Sequence, residues 1–388
     1  MEISACVKYV GVNDHQVDLF EGQYKVPNGM SYNSYVILDE KIAVMDTVDG
    51  FFTEEWLNNV EQVLDGKMPD YLIIQHMEPD HSASIPAFLK KYPKATVVST
   101  AKGFQFMEQF FPEFFAEQGL PAEQRIVAAN DGVLELGQHS LHFVYAPMVH
   151  WPEVMMTYEA TEKILFAADG FGKFGALDVE EEWADEARRY YIGIVGKYGP
   201  QVQAVLKKAA GLDIQTICSL HGPVLKENLG FYLEKYDKWS SYQPEESGVV
   251  IAYASVYGNT RNAAEYLADV LQEKGQKTVL YDLARCDKAK AVADAFRYDR
   301  LVLAGITYNG DLFPCMRSFI EGLTERNYQN RKVAIIENGT WAPMAGKLIL
   351  GMFEKSKNLT FTETTVSIKS AMNAQNKSEI GKLAEELC

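Results

Sequence analysis

The sequence predicts two domains of different class: an α+β domain with αββα layering, followed by an α/β domain built on a doubly wound parallel sheet. The first observation is length, since 388 residues are too many for one ordinary hydrophobic core and enough for two. The second is a change of texture. Up to about residue 240, short strand-like runs alternate apolar and polar residues, as half-buried antiparallel strands do; beyond it the runs are apolar throughout and each is followed by a helical pattern, as strands covered on both faces are. The third is the segment between them, SSYQPEESG (Ser240–Gly248), where a proline and adjacent acids mark a linker. The expected domains are residues 1–246 and 247–388.

In the first domain YNSYVILDEKIAVMDT, YLIIQ, ATVVS, LHFVYA, VMMTY and KILFAA read as strands, with helices such as EEEWADEARRYYIGIVGKY between or after them. In the second, VVIAYAS, KTVLYDL, RLVLAGI and KVAIIEN read as buried strands, and TRNAAEYLADVLQEKG as the first helix packed back onto them. Apolar strands alternating with helices require a parallel sheet. There is no internal repeat and no low-complexity segment.

Composition excludes several function classes. With 37 basic against 53 acidic residues, a formal charge of -16, the chain lacks the basic surface from which nucleic-acid binding draws its affinity. The five cysteines, Cys6, Cys218, Cys286, Cys315 and Cys388, form no CxxC pair, which speaks against an attached rubredoxin-like or zinc-ribbon module and for a reducing compartment. The opening stretch has charges every few residues, unlike a signal peptide, and no run approaches the apolar length of a membrane span. A cytoplasmic protein with no membrane and no nucleic-acid partner is expected.

The first βα turn of the second domain, YASVYGNTRNAAEYL, places Ser255, Val256, Tyr257, Gly258, Asn259 and Thr260 between a buried strand and a helix. Hydroxyls and free backbone N–H groups at a helix N-terminus suit a phosphate dianion, while the spacings of a dinucleotide fingerprint and of a nucleoside triphosphate loop are both missing. Two later strands end in loops containing Thr307, Tyr308, Asn309 and Gly310, and Asn338, Gly339, Thr340 and Trp341. Ligands of open parallel sheets bind outside the carboxyl ends of the strands, so a phosphate loop with two aromatic, amide-rich loops describes a mononucleotide carrying a flat ring. These loops taken singly also fit ordinary turns that use Gly, Asn and Thr for backbone reasons. Together they resemble the flavodoxin fold, which implies bound FMN; Tyr308 and Trp341 are the two rings that can stack on it.

The first domain carries a denser signal. In IIQHMEPDHSAS, His76, Glu78, Asp80 and His81 crowd the mouth of an apolar strand, where uncompensated ionisable groups cost several kcal/mol to bury. A metal would compensate them. His150, Asp169 and His221 each follow a strand directly, where side chains from several strands converge, whereas His15, His139 and His142 lack that placement and read as surface or strand-packing residues. The competing account has Asp80 or Ser82 capping the helix ASIPAFLKKY, which leaves His150, Asp169 and His221 unexplained. Asp46 reads as a strand-end residue behind the cluster, and Trp151, Pro152 and Glu153 as its wall.

The order of these residues resembles the metallo-β-lactamase fold, in whose hydrolases the cluster reads HxHxDH and binds zinc. Glu78 replaces the middle histidine, and the added anionic oxygen donor moves the preference towards iron or manganese. The whole chain, a metallo-β-lactamase-like αββα sandwich followed by a flavodoxin-like domain, is identified as a member of the flavodiiron proteins without a fused rubredoxin domain. That resemblance implies one iron held by His76, Glu78 and His150, a second held by Asp80, His81 and His221, and Asp169 bridging them. Members vary at the position of His81, where the imidazole can swing away, and Glu153 stands where aspartate is more common.

The resemblance further implies reduction of dioxygen to water and/or nitric oxide to nitrous oxide, with electrons reaching FMN from a separate donor such as rubredoxin or a flavin/NADH reductase. It also implies a head-to-tail homodimer, or a dimer of dimers, that sets the flavin of one copy beside the irons of another. Two rivals remain at this point: a zinc hydrolase with a fused flavodoxin domain, and an electron carrier that uses FMN alone.

Overall fold

The computed structural model describes residues 3–388, and the chain divides into two compact units: Met1–Tyr191 with Pro200–Tyr236, and Ile192–Gly199 with Asp237–Cys388. The first unit holds two β-sheets. One has six strands in the order Val7–Tyr9, Tyr35–Ile37, Ala43–Met45, Tyr71–Ile73, Thr96–Ser99 and Arg125–Val127, with the first two pairings antiparallel and the rest parallel. The other has five, Val133–Glu135, Ser140–Tyr145, Met155–Glu159, Ile164–Phe166 and Thr216–Cys218, and only its last pairing is parallel.

Alternation along these short strands decides the packing. Tyr35, Ile37, Met45, Ile73 and Val98 from one sheet join Leu141, Phe143, Met155, Ile164 and Phe166 from the other in a single core. Each such side chain contributes roughly 1.5–3 kcal/mol relative to exposure. Helices cover the outer faces. Thr53–Leu64, for example, buries Trp56, Val60 and Leu64, spaced four apart on one stripe. The result is the expected αββα sandwich.

The second unit is built on five parallel strands in the spatial order Thr278–Asp282, Glu246–Tyr253, Tyr298–Tyr308, Arg331–Asn338 and Leu359–Ile368. Counted along the chain this is 2-1-3-4-5, the flavodoxin-like doubly wound order. Val249, Ile251 and Tyr253 pack on one face against Leu267 and Leu271 of the helix Asn259–Glu273 and Leu383 of the helix Ala374–Leu387.

Two local features differ from the sequence reading. The run expected as one helix from residue 180 is helical over Trp183–Tyr190 and passes through a π turn, Tyr191–Val195, into the 3-10 turn Gly196–Tyr198. Carbonyls freed there are taken up within the second unit: the Arg326 guanidinium donates to the Gly193 carbonyl at 3.0 Å and the Asn327 amide to that of Lys197 at 2.8 Å. The polar linker is also shorter than its composition suggests, because Glu246 already belongs to the strand and accepts hydrogen bonds from Lys277 and Arg297.

Candidate metal centre and flavin cavity

Four strands of the first unit deliver the seven candidate ligands. The strand Tyr71–Ile73 runs into the segment with His76, Glu78, Asp80 and His81; Ser140–Tyr145 leads to His150, Ile164–Phe166 to Asp169, and Thr216–Cys218 to His221. Their donor atoms fall into two groups. The Nε2 atoms of His76 and His150 lie 3.2 and 2.9 Å from Glu78 Oε2, and 3.3 and 3.2 Å from Asp169 Oδ2. Across that carboxylate, His81 and His221 lie 3.3 and 3.7 Å from Asp169 Oδ1, each 3.3 Å from Asp80 Oδ2, with their own Nε2 atoms 3.1 Å apart.

Asp169 is thus shared, one oxygen to each group. Among the described residues neither oxygen of Asp80 or Asp169 has a hydrogen-bond partner, although all four are buried. Close nitrogen contacts surround them without hydrogen-bond geometry. Buried carboxylate oxygens in that condition cost several kcal/mol, and the donor set of four imidazoles and three carboxylates in two groups fits a pair of cations. The capping alternative fails on the same ground, because Asp80 makes no capping bond and Ser82 donates to the Met77 carbonyl at 2.9 Å.

Electrostatics carry the same signature. Burial alone would raise Glu78 and Asp169, yet His150 and His76 around Glu78, and His76, His150 and His81 around Asp169, hold both below the ordinary carboxylate range. Burial alone would lower the imidazoles, yet Asp169 with Glu153 raises His76 well above its usual value, Asp80 with Asp169 raises His81, and Asp169 with Glu78 raises His150 to about 9. The carboxylates thus favour positive charge on His76, His81 and His150, as they would favour cations between them.

Residues behind the cluster aim it. Glu153, expected as part of the wall, instead places its carboxylate behind the ring of His76, 2.8 Å from Nδ1, and accepts from the Met77 N–H at 2.9 Å. This corrects that expectation: the side chain is buried on the far side of the imidazole. His221 Nδ1 donates to the Ser31 carbonyl at 2.7 Å, while the Ser31 hydroxyl accepts from the Gly222 N–H at 2.8 Å. Gly222 has φ +77°, and a Cβ there would meet Lys173 Cγ at 2.6 Å, so the turn after His221 requires glycine. Asp46, itself at φ +53°, accepts from the Gln75 N–H at 2.7 Å and the Gln75 amide at 2.9 Å, fixing the backbone that enters His76. His81 has no such support, since its Nδ1 has no hydrogen-bond partner among the described residues.

In the second unit a cavity of about 560 Å³ opens at the carboxyl ends of the strands. Ser255, Val256, Tyr257, Asn259, Thr260, Thr307, Tyr308, Asn309, Gly310, Asn338, Gly339, Thr340 and Trp341 all line it, and Gly258, at φ +91°, sits behind the first turn with its N–H donated to the Ser255 hydroxyl at 3.2 Å. The loop after Thr307 is a hairpin that the sequence reading missed. Asn309 and Gly310, both at positive φ, turn the chain so that Tyr308 pairs with Asp311 and Thr307 with Leu312. Two of the lining side chains are already engaged. Thr307 Oγ1 accepts from the N–H groups of Met344 and Ala345, capping a helix, and the Asn338 amide donates to the Ser370 carbonyl at 2.9 Å.

Comparison with known proteins places both units. Residues 30–222 match the ODP family beta lactamase model and residues 250–358 the flavodoxin domain model. The flavodiiron protein of Giardia intestinalis superposes with a TM-score of 0.90 at 26% identity, over 100% of this chain and 96% of that one. The chain belongs to the flavodiiron proteins. An anaerobic nitric oxide reductase flavorubredoxin of Vibrio vulnificus is 27% identical over 385 residues, 96% of this chain and 75% of the relative. The rubredoxin oxygen:oxidoreductase of Desulfovibrio gigas shares the fold, with a TM-score of 0.91 at 24% identity over 100% and 97% of the two chains.

As a flavodiiron protein the chain is an oxidoreductase whose cofactors are FMN and a di-iron centre. No helix among the described residues is long and apolar enough to cross a membrane. Sequence reasoning missed Ile306, Ala342, Met344 and Ser370 in the cavity at the strand ends. Ser370 follows the last strand of the parallel sheet, so the rule that ligands gather at carboxyl strand ends would have found it.

Proposed function

We propose that the protein reduces dioxygen to water and/or nitric oxide to nitrous oxide, with His76, Glu78 and His150 holding one iron, Asp80, His81 and His221 the other, and Asp169 bridging. One observation carries this reading: the two unpaired oxygens of Asp169 face different sets of donors. When bound, the iron pair offers open coordination positions to a diatomic gas and FMN supplies electrons one at a time.

The chain's own residues do the rest. Glu153 and the Ser31 carbonyl hold the far nitrogens of His76 and His221, which fixes the ring planes and leaves both Nε2 atoms facing inward. The rings of Trp151 beside His76 and of Phe20 and Tyr190 beside His221 keep bulk water away. Of the seven groups Glu78 and Asp80 are the most accessible, with side-chain exposures of 17% and 11%, so a small gas would approach from their side. In the second unit the backbone of Ser255–Thr260 would hold the FMN phosphate, and Tyr308 and Trp341, which line the same cavity, would supply rings for its isoalloxazine. A head-to-tail homodimer brings the flavin of one copy to the irons of the other. Electrons come from a separate donor, a rubredoxin or a flavin/NADH reductase.

The test is anaerobic turnover of reduced, iron-loaded protein with each gas in turn, with the His76→Ala variant alongside. Gas consumption that disappears in the variant supports the proposal. Consumption that survives would point to an electron carrier using FMN alone, and zinc with ester or phosphodiester hydrolysis would point to a hydrolase.

A further inference from the structure

At the other end of the sandwich from the seven-residue cluster lies a second convergence of metal-ligating side chains. His139 precedes the strand Ser140–Tyr145 whose far end leads to His150, and Glu162 precedes the strand Ile164–Phe166 whose far end leads to Asp169. Cys6 stands just before the first strand, Val7–Tyr9. The Cys6 sulfur, a His139 ring nitrogen and a Glu162 oxygen all lie within 4.8 Å of one another. Donors around one tetrahedral ion, with the usual metal–sulfur and metal–nitrogen lengths, stand roughly 3–4 Å apart, so only side-chain adjustment separates this arrangement from a closed site.

The arrangement is held from behind. Asp39 Oδ2 accepts from the His139 backbone N–H at 2.7 Å and lies 2.8 Å from Nδ1, which commits that nitrogen to the proton and turns Nε2 towards Glu162 Oε1, 3.3 Å away. A carboxylate on the far nitrogen is the usual means of orienting a metal-binding imidazole. Glu162 is positioned in turn by Glu159, wholly buried, whose two oxygens accept from the N–H groups of Thr161 and Glu162 at 2.7 Å each. The Thr161 hydroxyl donates to the Gln138 carbonyl at 2.8 Å, tying the two turns together. His139 is only 4% exposed, while the Glu162 side chain, at 24%, leaves a route to solvent. The Cys6 sulfur, within 4.8 Å of both side chains, adds a third donor that the Asp39–His139–Glu162 tie does not itself use.

We propose that Cys6, His139 and Glu162 bind one divalent cation of the zinc class, with Asp39 orienting the imidazole and water completing the coordination. A thiolate, an imidazole and a carboxylate make a borderline donor set, softer than the seven-residue cluster, which contains no sulfur. The ion would clamp the amino-terminal strand of one sheet to two hairpin turns of the other.

The test uses protein already loaded with iron and FMN and titrates it with Co²⁺, a spectroscopic stand-in for Zn²⁺. The expected result is about one further equivalent bound, with a near-ultraviolet thiolate-to-cobalt absorption that Zn²⁺ abolishes on competition. The band is expected to vanish in Cys6→Ser and persist in Cys286→Ser, while retained iron and FMN show that each variant is folded. Glu162→Gln, on an accessible turn, should weaken Co²⁺ binding by about tenfold or more. Absence of a thiolate band, a band that survives Cys6→Ser, or unchanged affinity in Glu162→Gln would overturn the proposal.

Discussion

At the metal cluster five of the seven groups, His76, His81, His150, Asp169 and His221, are 8% exposed or less, whereas at the flavin cavity Tyr257 and Trp341 are 93% and 85% exposed. The first site gathers buried charge from positions as far apart as residues 76 and 221; the second presents rings and backbone on three loops at the edge of one sheet. Buried charges must be compensated one by one, so each member constrains the others. Exposed rings act singly and add modest increments of contact. The two sites should therefore break in different ways.

The largest expected effect is at Asp169. Replacing it with asparagine leaves two groups of imidazoles without the shared negative charge, and should lower iron retention and gas turnover by more than about 100-fold while FMN stays bound. Metal analysis with flavin absorbance checks both halves of that statement. Glu153→Ala removes the support behind His76 without removing a donor, and a loss of about 10–100-fold in iron affinity is expected, measured by competition with a chelator. Equal affinity in that variant would mean the cluster does not depend on its supports.

Acid should act on the same site through its histidines. His76, His81 and His150 are raised, His150 to about 9, so near neutral pH the metal-free cluster holds protons that iron must displace. Affinity should therefore rise with pH up to about 9 and fall by about tenfold per pH unit for each proton displaced below it. Glu78 and Asp169, held low, stay ionised and add no competition over that range. Iron binding titrated at several pH values measures the slope. The smallest effect is at the flavin: Trp341→Ala should weaken FMN by about tenfold or less and leave iron content unchanged.

The two sites also differ in how far the sequence alone revealed them. His76, His81, His150 and His221, with Asp169, stand at strand ends in a protein with only seven histidines, so placement by itself singled out candidates that the fold brings together. The supports carry no such mark. Ser31 meets His221 across 190 positions and Glu153 meets His76 across 77, through a backbone carbonyl in one case and an ordinary carboxylate in the other. No spacing rule points to either pairing. His139 was equally hidden, because the Asp39 that buries and orients it lies 100 positions away. In the second domain the strand-and-helix rhythm disclosed the parallel sheet and its strand-end loops, yet not that Thr307 and Asn338 spend their polar atoms on the loops themselves. Local patterns announce which residues gather; which of them serve as supports depends on contacts made only after folding.

Diffraction from iron-loaded crystals at the iron absorption edge tests the central claim most directly. The account predicts two anomalous peaks roughly 3.5–4 Å apart, one on either side of Asp169. A single peak, or a lone zinc at one group of donors, would contradict it.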